Sequence, residues 1–117
     1  TALHWKKQGH IVSVTTRRLE RVTFLQSLVD HVHLLTTSSL KEFILEQEAL
    51  LISVAPDTQG DYTSTYLQTA SEVAQHGAHL QTILYTSSTS VYGDQQGIWV
   101  DENTPLQPVQ VKDAILY

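Results

Sequence analysis

The chain has 117 residues, 41% of them apolar and 16% charged, with no cysteine and a net charge of −5. This is room for one domain with a core and too little charge for a disordered polyelectrolyte. Twelve acids against seven bases weigh against a nucleic-acid partner, whose footprint is a basic patch, although Lys6, Lys7, Arg17, Arg18 and Arg21 cluster early enough to form a local anion site. No apolar run approaches the roughly 20 residues of a membrane span, and without cysteine there is no disulfide or thiolate chemistry. The front of the chain has no signal-peptide layout, and a cytoplasmic location is expected.

Taken in order, Thr1 to Gln8 reads as a helix end, with Lys6 and Lys7 in the last turn and Gly9 as the capping residue. Ile11 to Thr15 is a β-rich strand. Arg18 to Val29 is helix-like, with Leu19, Val22, Leu25, Leu28 and Val29 on one face. Val32 to Thr36 is a second strand. Ser38 or Ser39 caps a short helix through Glu46 that turns Leu40, Phe43 and Ile44 inward. Ala49 to Ala55 is a continuous apolar run, the pattern of a strand buried on both faces, and Pro56 ends it. Asp61 to His76 carries Tyr62, Tyr66, Leu67, Ala70, Val73 and Ala74 at helical spacing and stops at Gly77. Thr82 to Thr86 is a fourth strand, expected to be buried. Ser87 to Pro108 is loop-like, and Val109 to Tyr117 opens a further helix.

Alternating helices and strands imply right-handed crossovers and a Rossmann-like, doubly wound parallel sheet. The order begins with a helix, and the chain contains no methionine. The expectation is therefore an incomplete sheet, with residues 1–117 forming part of one domain and the first strand and a C-terminal region missing. The isolated chain is then expected to fold poorly and to be inactive.

The most informative stretch is Ile83-Leu84-Tyr85-Thr86-Ser87-Ser88-Thr89-Ser90-Val91-Tyr92-Gly93. An apolar run ends abruptly in hydroxyl residues, as suits a parallel strand delivering hydroxyls to a crevice at its C-terminal end. Glu102-Asn103-Thr104-Pro105-Leu106-Gln107-Pro108 follows, and Gly9-His10-Ile11-Val12 precedes the first strand. Together these resemble the extended short-chain dehydrogenase/reductase family, the NAD-dependent epimerases and dehydratases, over most of the chain. They mark it as an atypical member. The five glycines (Gly9, Gly60, Gly77, Gly93 and Gly97) make no Gly-x-x-Gly-x-x-Gly phosphate loop. Counted from Pro108, the family's Tyr-x-x-x-Lys pair falls on Lys112 and Leu116, and Tyr117 does not restore it.

The resemblance implies a dinucleotide cofactor, NADP or NAD. Thr16 takes the place of the usual ribose-binding acid and Arg17 follows it. A hydroxyl beside a guanidinium suits a 2′-phosphate and favours NADP; the alternative is that Arg17 and Arg18 are solvated residues opening the next helix. Val54, Ala55 and Pro56 correspond to the small-residue turn along the adenosine side, and Thr86 and Ser87 to the cofactor side of the fourth strand end. Ser88 is the serine that orients a substrate hydroxyl or carbonyl. If the backbone stays extended, Ser90 projects to the same side as a second contact, and Tyr92 is structural or faces substrate.

The implied function is redox chemistry, as an NAD(P)-dependent epimerase/dehydratase or reductase, on a nucleotide-sugar or small carbonyl/hydroxyl substrate. Family members often form homodimers through helices like 61–76. The alternative from another class is a dinucleotide-binding sensor or scaffold without catalysis, which the broken Tyr-x-x-x-Lys favours. His31 and His33 alternate on a strand with no third ligand at a telling spacing, so no metal site is expected. Asp101 and Glu102, adjacent in the chain, make a poor acid/base dyad.

Overall fold

A computed structural model of the chain describes residues 1–36, 39–55 and 63–107. They form an α/β arrangement in which the chain divides into two compact units, residues 1–46 and 47–117. Each unit is built around a two-stranded parallel sheet. Pro56, the start of the 61–76 helical pattern, Pro108, Lys112, Leu116 and Tyr117 lie outside the described residues.

The first unit opens with α1 (Ala2–Lys7). Its end is set by Gly9 at φ +91°, a left-handed conformation that glycine adopts without penalty. The Gly9 amide donates to the Lys6 carbonyl at 3.0 Å and the His10 amide to the Trp5 carbonyl at 3.2 Å, the paired bonds of a Schellman cap. Strand β1 (Ser13–Thr16) runs parallel to β2 (His31–Leu34), with Ser13 opposite His31 and Thr16 opposite Leu34. Between them the expected long helix is broken into a 3-10 turn, Leu19–Arg21, and a short α2, Val22–Gln26. Val29 is buried as predicted, but Leu19 stands 70% exposed and Phe24 is exposed as well. Winding three residues per turn rotates Leu19 away from the stripe that an unbroken α-helix gives it.

Helix α3 (Leu40–Leu45) forms where the sequence places it. Ser39 is its N-cap, its hydroxyl accepting from the Glu42 amide at 3.2 Å. Phe43 and Ile44 are buried, Ile44 completely. The His33 ring meets Phe43 edge-on at 5.1 Å, and its Nε2 lies 3.9 Å from a Glu46 carboxylate oxygen. Among the described residues no three His, Asp or Glu side chains gather to hold a metal ion.

Asp30 ties β2 to the start of β1. Its carboxylate accepts from the Val12 amide at 2.8 Å and lies 3.5 Å from the Lys6 ammonium, while its own amide donates to the Val12 carbonyl at 2.9 Å. The Val12 bond above all, helped by Lys6, holds the Asp30 carboxyl below the ordinary carboxylate value. A depressed folded pKa favours the native state above the unfolded value of about 3.9, and that contribution disappears as pH falls through the folded value. Asp30→Asn is expected to lower the melting temperature at neutral pH and to leave it nearly unchanged in strong acid. Thermal unfolding of the two proteins across that range checks it.

In the second unit, β3 (Ala49–Ile52) runs parallel to β4 (Thr82–Tyr85), with Ala49 opposite Thr82 and Ile52 opposite Tyr85. The register is extended at both ends. The Gln81 amide donates to the Glu48 carbonyl at 2.8 Å, and the Thr86 amide to the Ile52 carbonyl at 2.9 Å. The connecting helix contains a wide π-type turn, Thr63–Leu67, followed by α4, Gln68–His76. The Thr69 hydroxyl donates to the Thr65 carbonyl at 2.5 Å, a side-chain bond to the preceding turn that accompanies such irregular winding.

Burial in this unit differs from expectation. In β3 only Ile52 is buried, so the apolar run does not mark a strand covered on both faces. Every residue of β4 is exposed. Ala70 and Ala74 of α4 are exposed as well, while Tyr66 and Val73 are buried. An apolar run records which side chains tolerate burial; whether they are buried depends on the layers packed over them, and among the described residues β4 has a hydrogen-bonded strand on one side only.

Gly77 caps α4 at a position too crowded for a side chain. Its φ is −98°, open to any residue, but an added Cβ would sit 2.5 Å from the Val73 carbonyl oxygen. Backbone cannot move aside as a flexible side-chain tip does. Gly77→Ala is expected to destabilise this unit by about 1–3 kcal/mol, as overpacking does, measurable as a lower denaturation midpoint with an unchanged slope.

Candidate functional site

The chemistry-bearing residues of the second unit collect where β3 and β4 end. Hydroxyl residues follow Tyr85 directly, where the strand ladder runs out. The Thr86 hydroxyl donates to the Ile52 carbonyl at 3.2 Å, doubling the amide bond to the same oxygen and fixing this stretch to the end of β3. Ser53, Val54 and Ala55 follow Ile52 there, with Val54 half-buried and Ala55 exposed. Ser87 and Ser88 are exposed.

Ser88 keeps an extended backbone, φ −117° and ψ 143°, and caps a 3-10 turn, Thr89–Tyr92. Its Oγ accepts from the Ser90 amide at 3.2 Å, which commits a lone pair and leaves the hydroxyl proton able to donate outward. The turn closes with the Gly93 amide on the Ser90 carbonyl at 3.1 Å; Gly93 has φ +68°, in the left-handed region. Val91 is buried beneath the turn, and Tyr92 is half-buried. The extended backbone that would send Ser90 to the side of Ser88 therefore ends at Ser88: the chain turns, and Ser90 meets the Ser88 oxygen through its own amide. Val-Tyr-Gly is the apolar anchor and the stop of a turn that presents Ser88.

The following loop returns to this turn. The Gln107 amide donates to the Val91 carbonyl at 2.9 Å, and the Gln95 side-chain amide donates to the Tyr92 carbonyl at 2.7 Å. Gln96 at φ +53° and Gly97 at φ +79° stand between the Gln95 carbonyl and the Ile98 amide, bonded at 3.0 Å, as in a type I′ turn. Just beyond it Trp99 is 97% exposed. Asp101 accepts from the Asn103 amide at 2.9 Å and from the Thr104 hydroxyl at 3.2 Å. The Asn103 bond leads in holding its carboxyl below the ordinary range, so Asp101 is an ionised turn residue rather than a proton donor.

Tyr85 was visible in the sequence only as a strand residue. Desolvation, and after it the Tyr66 phenol, push its hydroxyl above the ordinary tyrosine value. It keeps its proton at neutral pH and is suited to donate a hydrogen bond rather than to act as a base. No spacing rule announces this, because the two tyrosines are joined only when β4 and the helical segment pack together.

Thr16 and Arg17 belong to the first unit. Thr16 ends β1, and its hydroxyl accepts from the Arg18 amide at 3.1 Å, a local turn that starts the 3-10 segment. Arg17 and Arg18 are exposed. The Thr16 oxygen is thus already engaged by backbone, and Arg17 is the residue of the two with its donors turned to solvent-accessible surroundings. The structure gathers Thr86, Ser87, Ser88, Ser90 and Tyr92 into one strand end and turn, and it sets Thr16 and Arg17 at the end of a different strand.

No family model matches the chain. Protein YeeZ of Escherichia coli K12 is 39% identical over 75 residues, and so is protein YeeZ of Escherichia coli O157:H7. These matches cover 62% of the chain and 27% of each relative. A solved structure, that of a functionally unknown conserved protein from Silicibacter pomeroyi DSS, resembles the chain with a TM-score of 0.74 at 28% identity, over 98% of the chain and 39% of its own length. The chain thus spans about a quarter of the length of the curated relatives it matches. Among the described residues no helix is long and apolar enough to cross a membrane.

Proposed function

We propose that this chain is part of a Rossmann-like, doubly wound NAD(P)-binding domain of an atypical extended short-chain dehydrogenase/reductase, acting on a nucleotide-sugar or a small carbonyl/hydroxyl substrate. One observation carries the proposal: Ser88, at the C-terminal end of a parallel strand, is held by a capped turn with its oxygen accepting from Ser90 and its proton free to be given outward. In this reading Ser88 donates to the substrate oxygen and holds the reacting carbon beside the cofactor. Thr86, Ser87, Val54 and Ala55 line the dinucleotide, and Tyr92 faces the substrate. Arg17 takes a 2′-phosphate, with Thr16 shaping its turn, which makes NADP the favoured cofactor over NAD.

The cofactor supplies a hydride at C4 of its nicotinamide ring when bound. The chain's own residues orient the oxygen of the accepting carbon and stabilise the charge that develops on it. Proton delivery falls to a group other than the family's Tyr-x-x-x-Lys pair, since Lys112 and Leu116 stand in its place. That substitution also supports a second reading, a dinucleotide-binding sensor or scaffold that performs no turnover.

The two readings separate in one assay on the full-length protein carrying this chain. NADPH consumption is followed with a panel of small aldehydes, ketones and nucleotide-sugars. Steady oxidation with any member supports the reductase reading, and conversion of a nucleotide-sugar without net NADPH consumption, followed by chromatography of the products, supports the epimerase/dehydratase reading, in which the hydride taken from the substrate is returned to it. Cofactor binding with no turnover across the panel supports the sensor, and absence of both removes the cofactor from the account.

A further inference from the structure

We propose that Gly93 and the main-chain amide of Gln107 are positioning groups for the reaction proposed above, aiming the Ser88 hydroxyl through the 3-10 turn that they close. Their role rests on that reading of Ser88 as a donor to the substrate oxygen. An exposed serine has three staggered rotamers open to it, and the Ser90 amide, 3.2 Å from Ser88 Oγ, decides which one Ser88 takes. Ser90 is gripped on its other side as well, its carbonyl accepting from the Gly93 amide at 3.1 Å. The two peptide groups flank one Cα, so a shift of the Ser90 carbonyl is passed to the amide that holds Ser88.

Gly93 has φ +68° and ψ −160°. Only glycine takes this region readily, because a Cβ there collides with the backbone. The turn therefore ends in a conformation that no L side chain shares at low cost. Two residues before it Val91 is buried, and its carbonyl accepts from the Gln107 amide at 2.9 Å. The Gln107 side chain is exposed, so what this residue brings to the turn is its main chain. Gly97 offers the same strain without the same consequence. It has φ +79° and open space where a Cβ would stand, but it belongs to the separate turn between Gln95 and Ile98.

Double-mutant cycles on the full-length protein carrying this chain test this, with turnover read on NADPH and the panel member converted fastest. Gly93→Ala, and Gln107→Pro, which deletes the amide, are each expected to lower kcat by roughly 10–100-fold, the cost of a misplaced reacting group, with NADPH affinity unchanged. In a Ser88→Ala background neither is expected to cost anything further, since no hydroxyl remains to be aimed. Gln107→Ala, which keeps the amide, and Gly97→Ala, which puts a side chain at positive φ in the other turn, are expected to work at the wild-type rate. Gly93→Ala and Gln107→Pro act at different points of the turn, so if one fails to fold the other decides. Equal fold losses with and without Ser88 make the two groups merely structural and overturn the proposal, as does a wild-type rate in either folded variant. A wild-type rate in Ser88→Ala, or no conversion of any panel member, sinks the role of Ser88 first and theirs with it.

Discussion

Ile44→Ala is expected to be the most damaging single substitution to the fold, lowering stability by about 2–5 kcal/mol. Ile44 is fully buried, on α3 beside the buried Phe43. Truncation removes three carbons from water-free packing and leaves a cavity that the surroundings fill only in part. Against a typical stability of about 5–15 kcal/mol for a whole domain, such a loss takes away a large share. Ile44→Val, which removes one carbon, is expected to cost about 0.5–1.5 kcal/mol. Urea unfolding of the three proteins gives the series directly. Equal midpoints for Ile44→Ala and the wild type would show that α3 is not packed as described.

Ser88→Ala is expected to reduce turnover of the full-length protein by about 10²–10³-fold, the cost of removing one donor aimed at a developing oxyanion. The same change removes the acceptor for the Ser90 amide, so a loss of activity alone has two explanations. Ser88→Asp separates them. Aspartate caps a turn as well as serine does, but as a carboxylate it has no proton to donate. It is expected to keep the turn and to be as inactive as the alanine variant, whereas Ser88→Thr, which restores the hydroxyl, recovers part of the rate. An active Ser88→Asp would make Ser88 a capping residue only.

The parts of the fold legible in the sequence are those with a local cause. Gly9 ends α1 because its position requires φ +91°. Ser39 starts α3 because a hydroxyl there satisfies the Glu42 amide. Gly77 stands at the end of α4, where a Cβ would strike the Val73 carbonyl. Burial was legible only in part. Leu50, Leu51, Ile83 and Leu84 have the composition of a covered parallel sheet, yet the two middle residues of β3 are half-buried and β4 is exposed. Composition states what a strand tolerates, and packing by residues distant in sequence decides what it receives.

The site divides in the same way. Ser88 was identifiable because strand, hydroxyl and Val-Tyr-Gly stand in one continuous run. The role of Ser90 was not, because alternation of side chains holds only while the backbone stays extended, and the capped turn ends that at Ser88. Tyr85 and Tyr66, 19 positions apart in the sequence, influence each other only through the fold. The Gln107 bond to Val91 likewise closes a loop that turn-forming residues predicted but could not shape.

The central claim is that this chain contributes to a dinucleotide site. It is tested most directly by titrating the full-length protein with NADPH and, separately, NADH, following the fluorescence of the reduced nicotinamide. Saturable binding of both, tighter for NADPH, is the predicted result. Titrations in which neither nucleotide changes its emission would contradict the claim and leave the parallel α/β units without their proposed ligand.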